Sequence, residues 1–139
     1  MNIEILGVSW KKFNENLYPF FSANSVIILL WCMTALLDGY STTKFMMVLG
    51  PESEMHPMTK SLSYCFGIYA GPYISGAFKI LMALPILVCW KNIGRCVLTV
   101  SSIIQIYAFK ANLETYRYVS QVIPEQYWWH NVNYIIGSY

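Results

Sequence analysis

One carboxylate lies within a long apolar run in the first half of the chain. The run extends from Ser25 to Leu49 and contains Asp38. A helix over this run would be about 37 Å long at about 1.5 Å per residue, which is enough to cross a bilayer with some tilt. A carboxylate in such a helix is costly unless it is paired or neutralised, so we expect Asp38 to face protein or water.

The composition places the whole chain in the membrane class. Apolar residues make up 56% of the 139 residues, charged residues make up 12%, and the mean hydropathy is +0.43. Soluble domains contain about 25% charged residues. The net charge of +2 is small and scattered, whereas nucleic-acid binding requires a basic stripe on one face. We predict a single-domain, all-α integral membrane protein with the lipid bilayer as a partner and nucleic acid excluded.

Three membrane-spanning helices are predicted, at 25–49, 73–90 and 95–112. Asn24 or Ser22 is the predicted N-cap of the first helix, and Gly50-Pro51 ends it. The first helix carries a polar stripe, the Asp38 stripe, which consists of Thr34, Asp38, Ser41 and Thr42. The third helix carries a second polar stripe, which consists of Ser101, Ser102 and Gln105.

The segment 58–70 is moderately apolar but too polar to span. We predict a half-helix that does not cross, separated from the next span by Gly71-Pro72, with one long kinked span over 58–90 as the alternative. Gly67, Gly71 and Ser75 recur every four positions, a spacing that lets two helix backbones approach closely.

The C-terminal tail, 124–139, is rich in Tyr and Trp, and we predict that it lies along the membrane interface. Three crossings place the termini on opposite sides. Basic residues near the spans are concentrated on one side, at Lys11, Lys12, Lys91 and Arg95. The positive-inside rule therefore predicts that the N-terminus is inside and the C-terminus outside.

The ionisable side chains inside the predicted bundle are the candidate site. We predict a structural polar cluster of Asp38, Ser41, Thr42 and Lys79, in which Asp38 and Lys79 form a buried ion pair or bond to hydroxyls. Glu54 and His56, in the connection after the first span, are weak candidates for a metal site together with Asp38, since carboxylate and imidazole both bind zinc. A loop whose Glu and His face water is the alternative. No catalytic residue or cofactor is predicted.

The motif D-x3-T-T, L-G, E-x-N-P and a later lysine resembles that of a family of small prokaryotic and phage-borne integral membrane proteins of unknown function. The matching residues are Asp38, Thr42, Thr43, Leu49, Gly50, Glu54, His56, Pro57 and Lys79. The likeness covers about 45 residues, and His56 replaces the asparagine of the pattern. It implies a shared core of two helices with their connection, and a prokaryotic cytoplasmic membrane, but no activity.

Three functions are compatible with these features. The first is association, as a subunit or modulator of a larger membrane assembly, with other membrane subunits or a second copy as partners. The second is a homo-oligomeric cation or proton pathway lined by the Asp38 stripe, because three spans are too few to enclose a conduit alone. The third is a metal-dependent intramembrane hydrolase, which would need Asp38, Glu54 and His56 to converge.

Overall fold

The computed structural model describes residues 9–123, and this part of the chain is helical with no strand. It contains α1 (Trp10–Leu49), a short 3-10 helix (Pro51–Ser53), α2 (Pro57–Cys89) and α3 (Lys91–Val119). Each of the three α-helices is long and apolar enough to cross a membrane. The prediction of an all-α protein with three such helices is therefore confirmed. The predicted tail at 124–139 lies outside the described residues.

The first helix begins well before the predicted start at Ser25. The side chain of Ser9 caps α1 by accepting a hydrogen bond from the backbone N–H of Lys12 at 3.2 Å. Asn24, predicted as the cap, lies inside the helix and donates to the carbonyl of Phe20. The prediction was wrong because apolar content marks the part that can cross a membrane, whereas caps mark where the helix begins.

The predicted end of the first helix is correct. Gly50 follows Leu49 with φ 78° and ψ 166°, and its N–H donates to the carbonyl of Met46. Glycine tolerates this backbone region, which other residues rarely adopt. Pro51 then begins the 3-10 helix that leads toward α2.

α2 consists of two helical segments, 57–66 and 68–89, that meet at Gly67. Gly67 has φ 83° and ψ 161°, which are not helical values. The hydroxyls of Thr59 and Ser75 lie 2.7 Å apart although the residues are 16 positions apart in sequence. A straight helix would separate them by about 24 Å. The chain therefore reverses direction at Gly67, and the two segments lie side by side.

The predicted break at Gly71-Pro72 was wrong, because both residues are buried inside the second segment of α2. A Cβ built on Gly71 would lie 2.5 Å from the backbone of Ser63. Gly71 and Ser75 therefore serve a contact between the two segments of α2, and Gly67 is the point where the chain reverses. The alternative of one long kinked span is excluded by the same reversal.

α1 and α3 are parallel neighbours joined by a series of side-chain hydrogen bonds. The bonds run from Arg95 Nε to Asn24 Oδ1 (2.8 Å), from Trp31 Nε1 to Ser101 Oγ (3.0 Å), from Thr34 Oγ1 to Gln105 Oε1 (2.6 Å) and from Asn112 Nδ2 to Thr42 Oγ1 (3.2 Å). In every pair the residues are 70 or 71 positions apart. A constant separation means that the helices run in the same direction. The predicted third span is thus part of a longer helix, and its polar stripe faces α1.

α1 also packs against α2, whereas α2 and α3 make few contacts with each other. The connection between α2 and α3 is tight, and a Cβ on Gly94 would lie 2.5 Å from the carbonyl oxygen of Leu87. Beyond this connection the two helices diverge, and the space between them forms the candidate site.

Candidate functional site

A cavity of about 620 Å³ lies between α2 and α3, and α1 forms its floor. We call it the cleft. Its polar lining includes Asp38 from α1, Lys79 from α2, Gln105 and Asn112 from α3, and Glu54 and His56 from the connection between α1 and α2. The volume is in the range of pockets that bind small ligands, about 300–1,000 Å³. The predicted site residues Asp38, Thr42, Glu54, His56 and Lys79 all line it.

Small side chains create this space. All three helices present them to the cleft, as Ala35, Gly39, Gly76, Ala83 and Ala108. A Cβ built on Gly76 would meet no atom within 4 Å. A side chain at Gly76 would therefore begin in open space on the wall of the cleft.

The cleft is elongated and mixes polar and apolar side chains. Its lining extends along α1 from Trp31 to Phe45, which is about 21 Å of helix. Asn112 of α3 lies 3.2 Å from Thr42 of α1, and Glu54 and His56 join the lining from the connection between α1 and α2.

Asp38 and Lys79 face each other across the cleft without forming an ion pair. Asp38 is half-buried and Lys79 is exposed, and their charges interact electrostatically. Among the salt bridges of residues 9–123, however, none joins them, and neither side chain has a hydrogen bond to a described residue. The expectation of a direct buried pair is not supported, since Lys79 is exposed and its side chain does not reach Asp38.

Glu54 stabilises the connection between α1 and α2. Its Oε1 accepts a hydrogen bond from the backbone N–H of His56 at 2.8 Å, immediately before the first segment of α2. The side chain of His56 is exposed. Within residues 9–123 no group of three His, Cys, Asp or Glu side chains is arranged to hold a metal ion. Asp38, Glu54 and His56 share a cavity, but Glu54 is engaged in shaping the loop.

The predicted polar cluster is divided between two surfaces. Thr42 lines the cleft with Asp38 and Lys79. Ser41 is fully buried, donates to the carbonyl of Asp38 and lies 3.4 Å from Nδ2 of Asn112. Ser41 therefore contributes to the contact between α1 and α3 and does not reach the cleft.

Two features of the site were missed at the sequence level. Asn112 lies seven positions after Gln105, so extending the polar stripe by two turns would have found it. The second feature is a surface cluster in which Lys60 and Tyr64 both contact the Glu52 carboxylate. Hydrogen bonds from Lys60 and then Tyr64 hold the pKa of Glu52 below its ordinary value. This cluster forms because the connection at 54–56 brings the 3-10 helix beside the first segment of α2, which no sequence period indicates.

Comparison with known proteins gives no relative. No protein-family model, curated protein or solved structure matches this chain. Membership of the family with the D-x3-T-T pattern therefore stays a prediction.

Proposed function

We propose that this chain acts by association, as a subunit or modulator of a larger membrane assembly, and that the cleft is its contact surface. The observation that carries the proposal is the cleft itself, which holds unpaired charged side chains between two helices that barely touch. Charged groups in a membrane-spanning region face a protein interior or water. A partner that covers the cleft would provide that environment for Asp38 and Lys79.

The small residues lining the cleft also support association. Helices in membranes approach each other most closely where small side chains are exposed. Gly76 and Ala83 on α2 and Ala108 on α3 are only partly buried within one chain. These small side chains would allow a helix of a second protein to pack closely against α2 and α3.

The test is to fill the cleft and measure the size of the assembly. Gly76→Leu places a large side chain in the open space, and the matched control Ala77→Leu adds a leucine one position along, on an exposed part of α2 that does not line the cleft. In mild detergent and in lipid nanodiscs, we expect the wild-type chain and Ala77→Leu to form assemblies larger than one 16.0 kDa chain. Gly76→Leu should shift them toward the monomer. A wild-type chain that is monomeric in native membrane extracts and in nanodiscs would contradict the proposal.

A homo-oligomeric cation or proton pathway is a second candidate. Asp38 and Glu54 supply carboxylates to the cleft, and such groups in membranes often mark ion or proton routes. In liposomes with a pH-sensitive dye inside, this function predicts proton or cation flux that Asp38→Asn abolishes. Assemblies of normal size without flux would exclude the pathway and leave association standing.

Glu54→Gln separates the two candidates at the connection between α1 and α2. The glutamine Oε1 can still accept the hydrogen bond from His56 N–H while the charge is lost. Under association alone we expect unchanged assembly size and thermal stability. A lost flux with an intact assembly would instead favour the pathway.

A further inference from the structure

We infer that a second copy of this chain occupies the cleft, with Asp38 of each copy facing Lys79 of the other. This inference rests on the proposed association and specifies its partner. The two copies would be related by a twofold axis along the membrane normal. In such an interface the same patch is used on both copies, so every contact occurs twice.

Charge complementarity is the first argument for a second copy. The cleft presents the Asp38 carboxylate on its floor and the Lys79 ammonium on its α2 wall, and neither forms an ion pair or a hydrogen bond with a described residue. The second carboxylate of the lining, Glu54, accepts a hydrogen bond from the backbone N–H of His56. A surface that carries both charges unpaired is complementary to itself. Two copies would form two reciprocal pairs between Asp38 and Lys79, which no partner with a single charge can do.

The direction of the twofold axis follows from the depth of Asp38 and Lys79 in the membrane. A twofold axis along the membrane normal keeps each residue at the same depth in both copies. Asp38 and Lys79 already interact electrostatically within one chain, so their depths are compatible. Pairing between copies therefore requires no displacement along the membrane normal.

The cleft-facing stripe of α2 has the spacing of a helix contact, with Gly76 as its open position. Gly76, Ile80 and Ala83 line the cleft and are spaced by four and then three positions, and Ile80 and Ala83 also pack on one side against the core of their own chain. This is the spacing of the contact seam of paired helices that cross at a small angle. Gly76 and Ala83 lie seven positions apart and are small, so two parallel α2 helices could approach closely with Lys79 at the edge of the seam.

The test uses two differently tagged chains expressed together, with capture through one tag and quantification of the other. We expect Asp38→Asn alone, or Lys79→Gln alone, to reduce self-capture by about tenfold, which corresponds to about 1.4 kcal/mol. A mixture of Asp38→Asn chains with Lys79→Gln chains retains one intact pair. It should therefore recover most of the capture.

The mixed pair contains both substitutions, so misfolding of either variant cannot produce its recovery. Lys110→Gln is the matched control, because Lys110 is exposed on α3 and contacts Glu114 outside the cleft. We expect it to leave self-capture unchanged. A mixed pair that binds no better than either variant with itself would overturn the reciprocal arrangement.

A second measurement does not depend on the charge variants. With Cys32, Cys65, Cys89 and Cys96 replaced by serine or alanine, Gly76→Cys should form a disulfide-linked dimer under mild oxidation, and Ala77→Cys at least about fivefold less. If neither cysteine forms the link but Gly76→Leu still changes the assembly size, the partner is a different protein and the second copy is excluded. If Gly76→Leu has no effect either, the proposed association fails as well.

Discussion

Two glycines with the same backbone conformation determine the path of the chain around the cleft. Gly50 and Gly67 have φ near +80° and ψ near 160°, a region that is essentially restricted to glycine. The first ends α1 and the second reverses α2. The sequence does not distinguish these two glycines from the others, because described glycines such as Gly76 have an ordinary helical backbone.

We predict that Gly67→Ala destabilises the protein by about 1–3 kcal/mol, since alanine must adopt a strained backbone there. No atom lies within 4 Å of a Cβ at Gly67, so the effect would come from the backbone alone. Gly76→Ala is the matched control, because its helical position should make it neutral or slightly stabilising. Thermal unfolding in detergent, followed by circular dichroism, measures both. Equal melting temperatures for the two variants would refute this role of Gly67.

The Glu52 cluster predicts a local dependence on pH. Contacts from Lys60 and Tyr64 lower the pKa of the Glu52 carboxyl, so the folded form is favoured above the ordinary pKa of glutamate. This contribution is lost as the pH falls through the lowered pKa. Hydrogen exchange at 51–60 should therefore quicken at low pH. Glu52→Gln should abolish this increase in exchange rate at low pH. An increase that persists in Glu52→Gln would show that another group is responsible.

At the scale of helices, buried hydroxyls compensate for backbone groups that proline leaves unpaired. Pro72 has no N–H, so the carbonyl of Ile68 lacks its usual helical donor. The hydroxyl of Thr43 lies 3.2 Å from this oxygen and 2.9 Å from the carbonyl oxygen of Gly39. Its one proton is therefore shared between the two carbonyls, and it partly replaces the missing hydrogen bond across the contact between α1 and α2. The residue pattern T-T followed by a distant proline could not predict this pairing, which depends on the reversal at Gly67.

Thr43→Val should cost about 1–3 kcal/mol, because it leaves the buried carbonyl of Ile68 without a donor. Pro72→Ala restores an N–H at position 72, so the double variant should lose much less than the sum of the two single changes. Chemical unfolding of the four proteins measures this coupling. Strict additivity would mean that the Thr43 hydroxyl does not act on the Ile68 carbonyl.

The hydrogen bonds between α1 and α3 predict a second coupling. Thr34 and Gln105 lie 2.6 Å apart through their side-chain oxygens, and bonds of this kind in membranes average about 0.6 kcal/mol. A double-mutant cycle with Thr34→Val and Gln105→Leu should show a coupling free energy of unfolding of about that size. Thr99 provides the control, because its hydroxyl bonds only the carbonyl of Arg95 in its own helix. The cycle of Thr34→Val with Thr99→Val should be additive.

For the whole molecule, the sequence was sufficient for the all-helical class with three helices able to cross a membrane. The cost of burying charge predicted that Asp38 and Lys79 face the interior of the bundle. Both line the cleft, but Lys79 is exposed and the two side chains do not pair. The cleft itself was not predictable. The cleft depends on helix packing that places small residues such as Gly76 and Ala108 on its walls. In sequence, a small residue that lines a cavity looks the same as one that allows two helices to pack closely.

The number of membrane crossings is the last prediction. Because the chain reverses at Gly67, the segment 68–89 is about 33 Å long and is sufficient for one crossing, while 57–66 lies beside it. Thr59 is level with Ser75, which places it about 12 Å along the helix from Gly67. Residues 51–66 would then enter the membrane and return to the same side. In a variant without native cysteines, single cysteines at Ser53 and Phe66 should react with an impermeant thiol reagent from the same side of sealed vesicles, and a cysteine at Trp90 from the other side. Labelling of Ser53 and Phe66 from opposite sides would show that 57–66 is itself a crossing.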